Sequence, residues 1–221
     1  MQVPIDPSVG GVYSHAWRTV RDRFWGLFVV GLVGAIIVGL ISGVIGGIGT
    51  VIGDATDLPI IPVVAELLVL ALGTWPIWAG VQYANLQTVR SGRAEIGDIF
   101  AAYRRGLVNL IVAEVVTIVL VMVAFVLLVI PGIVVGIRLS FVTLLVVDEG
   151  YGPLEAISES WRRTSGFGWT LFGIGILAIP VLVVGFLALV VGLVPATMVV
   201  ALTIPVMFAA ATEVHGRREY G

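Results

Sequence analysis

The chain contains no cysteine and no lysine; all twelve of its basic residues are arginine. Thiol nucleophiles, cysteine-held metals, iron–sulfur clusters, phosphate-loop lysines and Schiff bases are therefore excluded. Charge is scarce as well. Only 12% of the 221 residues are charged while 59% are hydrophobic, against about 25% and 45–50% in soluble domains. Twelve basic and fourteen acidic residues cannot cover the surface of a soluble domain of this size, so composition assigns the chain to a membrane. A formal net charge of -2 argues against nucleic acid, whose phosphates are bound through a basic face. His15 and His215 lie near opposite ends of the chain, in no metal-ligand spacing. No metal and no cofactor is expected.

What the chain does have is long apolar runs. A helical span needs roughly 20 mainly apolar residues, and six runs qualify with their flanks: 24–54, 62–89, 107–130, 133–147, 169–192 and 196–212. The first exceeds one span, so its glycine-rich end is predicted to lie in an outer loop. Pro131-Gly132 predicts the turn between the third and fourth runs, and residues 192–195 the turn between the last two. A single kinked or re-entrant segment is the rival for that last stretch.

Arginines fall in four clusters: Arg18, Arg21 and Arg23; Arg90, Arg93, Arg104 and Arg105; Arg162 and Arg163; Arg217 and Arg218. With six spans all four land on one side, and the positive-inside rule makes that side cytoplasmic, with both termini there. Three short amphipathic stretches precede the hairpins, and each carries an aromatic–arginine pair: Trp17-Arg18, Tyr103-Arg104 and Trp161-Arg162. Tyr13, Trp17, Val20 and Phe24, then Ile96, Ile99, Phe100 and Tyr103, then Leu154, Ile157 and Trp161 keep helical spacing. Such helices suit the headgroup layer, and the six paired residues are predicted interfacial anchors. The expected fold class is all-α: a polytopic integral membrane protein with six transmembrane helices, in three parallel repeats of interfacial helix plus two-helix hairpin. One membrane domain, 1–221, would hold repeat units at about 8–89, 94–147 and 152–213 and a short cytoplasmic tail, 214–221.

Charges inside spans are costly and mark candidate sites. Glu114 and Arg138 are predicted at similar depth in consecutive helices, where they either pair with each other or line a polar cavity for an ion or a lipid headgroup. Glu66 sits near the outer end of its span and is expected to be solvated. Gln82, Asn85 and Gln87 are expected to hydrogen-bond between helices. Gly31, Ala35, Gly39, Gly43 and Gly47 recur every fourth residue, a helix-packing stripe whose partner is expected within the chain, with a second subunit as the alternative.

The stretch Ile130-Pro131-Gly132-Ile133, Arg138-Leu139-Ser140, Val147-Asp148-Glu149-Gly150, Gly152-Pro153-Leu154-Glu155-Ala156-Ile157, Ser160-Trp161-Arg162 and Gly166 resembles a group of uncharacterised bacterial six-span proteins. That group includes the YciC-like family and the membrane domain fused to some glycerophosphoryl diester phosphodiesterases. The resemblance covers residues 130–172 and implies an all-helical bacterial inner-membrane protein. It implies no activity, since the phosphodiesterase chemistry belongs to a separate soluble domain.

Two functions fit these observations. The first, and favoured, is a non-enzymatic membrane scaffold or accessory subunit of a bacterial inner-membrane complex, with lipids and other membrane subunits or further copies of itself as partners. The second is a small transporter or lipid-binding protein with a polar site around Glu114 and Arg138. No nucleophile or metal motif accompanies these charges, so no enzyme is expected.

Overall fold

A computed structural model describes residues 5–93 and 95–219, the side chains of 189–191 and 217–219 excepted. Among the described residues the chain is all-helical. Six segments are long and apolar enough to cross a membrane: Val9–Thr56, Ile60–Ser91, Leu107–Leu127, Val129–Glu149, Gly168–Leu187 and Gly192–Gly216. They coincide with the six runs of the sequence.

Helix α1 (Val9–Ile41) starts where the Ser8 hydroxyl accepts the Gly11 N–H at 3.1 Å, satisfying one of the free donors of a helix start. It bends at Arg23 (φ -127°, ψ 25°), so the amphipathic segment and the apolar span are distinct limbs. A π-turn, Ser42–Gly46, joins it to α2 (Gly47–Thr56). The glycine-rich end is therefore helical, against the expected outer loop. Gly49 and Gly53 explain this, because their bare backbones lie against Ala65 and Pro62 of the next helix. Glycine thus serves close approach here, and a helix pairs its interior backbone groups within itself.

The return limb is α3 (Ile60–Leu68), a second π-turn at Val69–Thr74, and α4 (Trp75–Ser91). Pro76 has no N–H to give the Leu72 carbonyl. The Tyr103 hydroxyl donates to that carbonyl instead. Tyr103 stands at the end of a short connection, a 3₁₀ turn (Ile96–Phe100) and α5 (Ala101–Arg105). This connection packs so tightly on α4 that Gly80 faces the Ile99 backbone.

Two predicted turns are displaced. Helix α6 (Leu107–Leu127) and α7 (Val129–Arg138) meet at Leu128, which is extended (φ -165°, ψ 148°). Pro131-Gly132 lies inside the first turn of α7, where a missing N–H costs nothing and where Gly132 leaves room for the Phe125 ring. Likewise α10 (Gly168–Leu187) turns into α11 (Leu189–Glu219) at Ala188, and Pro195 is helical. Gly185 and Gly192 face each other across that tight corner, Gly185 also against Ala196 and Gly192 against Ala188. Between these hairpins lie α8 (Val142–Glu149) and α9 (Pro153–Thr164).

The core lies at the arginine-bearing end. Val12, Ala16 and Val20 of α1, Leu86 of α4, Val142 and Leu144 to Val147 of α8, Ala156 of α9 and Val206 to Phe208 of α11 are buried together. Phe141 meets Phe208 edge to face at 5.4 Å, a contact of about 0.5–1.5 kcal/mol beyond burial. Ile60–Ser91 holds 32 residues, about 48 Å of helix against about 30 Å of hydrocarbon. The buried residues of α4 run from Pro76 to Thr88, so the surplus length is the part packed into this core.

Candidate functional site

The stretch 130–172 folds back on itself around a helix break. Residues Leu139 to Phe141 separate α7 from α8, which leaves carbonyls and N–H groups without helical partners. The amphipathic helix α9 supplies them. Ser160 Oγ donates to the Arg138 carbonyl at 2.7 Å and accepts the Phe141 N–H at 3.3 Å, and Thr164 Oγ1 reaches the same carbonyl at 3.3 Å.

The break sends Glu114 and Arg138 apart. Glu114 accepts a 2.6 Å hydrogen bond from Thr143 on the first turn of α8. Arg138, the last residue of α7, donates instead to Ser165 Oγ at 3.2 Å and lies 5.7 Å from the Trp161 ring centroid. The ion pair, one of the two arrangements expected, is not formed among the described residues. A continuous helix would have kept the two at one depth and on neighbouring faces, whereas the interruption at Leu139 turns α8 toward α6 and leaves Arg138 facing the α9–α10 corner.

At that corner a groove of about 420 Å³ opens between α7 and α10. Ile130, Ile133, Val134 and Ile137 form one wall, Trp169 and Phe172 the other, and Arg138 closes one end. A cation thus caps an otherwise apolar trough.

The larger ionic assembly lies elsewhere. Arg163, 8% exposed, donates to both carboxylate oxygens of Glu149 at 2.6 Å, to Glu159 at 2.6 Å and to Thr212 at 3.3 Å. Arg162 makes two 2.8 Å bonds to the same Glu159, and Arg90 pairs with Asp148 at 2.6 Å. The guanidinium groups of Arg90 and Arg163 stand 5.8 Å and 5.7 Å from the ring centroid of Phe208. Hydrogen bonds from Arg162, against the opposing effect of burial, and then from Arg163 hold the Glu159 carboxyl below the usual range. Burial works against the charge of Arg163, but its bonds to Glu149 and Glu159 outweigh that and push its pKa upward. Each buried charge is matched, as burial requires, so the assembly is a clamp among α4, α8, α9 and α11. The i,i+4 spacing of Glu159 and Arg163 was a signal for half of it; Glu149 and Thr212 gave none.

Of the anchors, Trp17 and Trp161 are exposed, at 54% and 45%. Among the described residues Arg18 bonds within its own helix, to the Ser14 carbonyl, Arg104 reaches the Gly97 carbonyl, and Arg162 is in the clamp. On α9 the face turned into the protein is mostly polar, with Glu159, Ser160, Arg163 and Thr164 buried beside Ala156, while Leu154 and Trp161 face out. The three amphipathic stretches are not alike locally, since the second is a 3₁₀ turn and five helical residues.

The stripe is a further correction. Gly31, Ala35, Gly39, Gly43 and Gly47 are all exposed, and a Cβ at any of the four glycines would meet no atom within 4 Å. Packing inside the chain uses other small residues instead: Gly34 against Val81, Gly73 against Ile41, and Gly49 and Gly53 as above. Among the described residues the predicted interhelical bonds of Gln82, Asn85 and Gln87 are not made. Gln82 Oε1 is buried without a partner. Asn85, 6% exposed, lines a groove of about 300 Å³ with Phe28, Gly31, Trp78, Val194 and Met198, and none of the hydrogen bonds among the described residues engages its side chain. Glu66 is exposed on the protein, and no group of three or more potential metal ligands occurs among the described residues.

No family model matches the chain, and no curated protein or solved structure matches it either.

Proposed function

We propose that the chain is a non-enzymatic scaffold or accessory subunit of a bacterial inner-membrane complex, which docks a transmembrane helix of a partner subunit on its first helix. The observation that carries this reading is the uncovered stripe from residue 31 to residue 47. Glycine facing lipid forfeits side-chain packing and costs helix stability, whereas glycine facing a second helix permits close backbone contact. A four-residue repeat advances about 40° per step on a 3.6-residue turn, so the stripe winds around the helix, and the wider π-turn at Ser42–Gly46 takes back part of that advance. At the stripe's arginine-side end, the groove beside Gly31 offers the amide of Asn85 to a hydroxyl or carbonyl of the incoming helix.

The same account puts both termini in the cytoplasm and reads the chain as three parallel hairpin units. Contacts that gather arginines at one end support it: Arg23 beside Gly92, Arg90 on Asp148, and Arg105 on the Val147 carbonyl and the Tyr83 ring. Trp17, Tyr103 and Trp161, each exposed, suit a headgroup layer. The likeness of residues 130–172 to the YciC-like group agrees with this setting.

The test is detergent-free extraction of the tagged protein from its native membrane, followed by mass spectrometry. Stoichiometric partner proteins, lost from a Gly39→Leu, Asn85→Leu variant that still inserts, are expected. Recovery of the chain with no stoichiometric partner contradicts the reading.

A further inference from the structure

We propose that the groove between α7 and α10 binds one anionic phospholipid, with its phosphate on Arg138 and an acyl chain along Ile130, Ile133, Val134 and Phe172. This site is separate from the stripe and does not depend on it. Arg138 spends one donor on the Ser165 hydroxyl and stacks near Trp161, and no ion pair to a carboxylate joins it among the described residues. A guanidinium has five N–H donors in a fork that fits phosphate oxygens, so most of its capacity is free. The trough it caps runs eight residues along α7 from Ile130, about 12 Å. Its volume of about 420 Å³ lies within the roughly 300–1,000 Å³ range of ligand sites. Gly166 and Gly168 also line the groove, and a Cβ at either would meet no atom within 4 Å, so that part of the groove leaves room for a headgroup. Trp169, 86% exposed, stands beside the mouth with the amphipathic ring that favours the headgroup boundary. Charge at one end and hydrocarbon along the rest are the two halves of an anionic lipid. A free phosphate would leave the trough empty, and a zwitterionic lipid would bring a second cation of its own up against Arg138 together with its phosphate, so a net anionic headgroup is the better match.

The test reconstitutes the full chain into bilayers of equal phosphatidylglycerol and phosphatidylcholine and reads retained lipid by native mass spectrometry. Wild type is expected to retain phosphatidylglycerol. Arg138→Gln should lower the ratio of retained phosphatidylglycerol to phosphatidylcholine about tenfold, the equivalent of one charge-assisted bond. Val134→Trp, which keeps Arg138 and fills the trough, should lower retention of both lipids. Arg93→Gln removes an equal charge from an exposed position and should change neither. Equal losses from Arg93→Gln and Arg138→Gln would overturn the proposal, as would full retention by Val134→Trp or displacement of the lipid by excess glycerol phosphate. If Arg138→Gln does not fold, Val134→Trp decides.

Discussion

Ser160 and Arg138 are joined by a 2.7 Å hydrogen bond from hydroxyl to backbone carbonyl, and the same hydroxyl accepts the Phe141 N–H. One side chain on α9 therefore stabilises both edges of the break between α7 and α8. The consequence reaches Glu114 and Arg138, since the break aims Arg138 at the groove and Thr143 at Glu114. Ser160→Ala leaves a buried N–H unpaired and should cost about 1–3 kcal/mol, read as a lower thermal unfolding midpoint in detergent. An unchanged midpoint would mean that the break is held by other contacts.

The clamp predicts a larger loss. Arg163→Met strands Glu149, and leaves Glu159 only Arg162, at a cost of about 3–5 kcal/mol, while replacing Glu149, Glu159 and Arg163 together by apolar residues should recover most of it. The clamp also sets a pH dependence. Glu159 has a folded pKa below its ordinary value of 4.5, so the unfolded chain takes up a proton first as pH falls. Its stabilisation is complete above about pH 4.5 and is lost as pH drops through the folded value. Unfolding midpoints of Glu159→Gln should therefore depend less steeply on pH below that point than those of wild type; parallel curves would contradict the assignment.

Tyr103 compensates for Pro76. Removing its hydroxyl by Tyr103→Phe leaves the Leu72 carbonyl without that donor and should cost about 1 kcal/mol. In a Pro76→Ala background the helix supplies its own N–H, so the same change should cost close to nothing. A double-mutant cycle measures the difference, and equal costs in both backgrounds would show that the two residues are independent.

Glu114 and Arg138 share no partner. Glu114→Leu and Arg138→Met should then add within about 0.5 kcal/mol, whereas Glu114→Leu and Thr143→Val should couple by more than that. Strong coupling between Glu114 and Arg138 would restore the ion pair expected from sequence.

That expectation failed for an instructive reason. Apolar run length sufficed for the six helices, because span length is set by the bilayer and composition is a local property. Helix interruptions depend on tertiary donors, so Leu139 to Phe141, with no proline or glycine, gave no sign that Ser160 would receive it. Proline pointed the wrong way at Pro131, where a first-turn position made it harmless. Glycine spacing revealed a stripe but not its partner, because Gly34 and Gly49, outside the strict repeat, took the contacts within the chain. On α9 the aromatic face was legible, while the inward turn of Arg163 depended on Glu149 and Phe208 from other elements.

The docking claim can be tested most directly in the membrane, using the absence of native cysteine. Single cysteines would be placed at Gly39 and Gly43 on the stripe and at Leu40 and Val44 beside it, all four exposed within the chain, and treated with a short thiol-to-amine cross-linker. The account predicts one discrete heavier product, containing a partner subunit, from the two stripe positions and little from their neighbours. Equal products at all four positions, or none at Gly39 and Gly43, would contradict it.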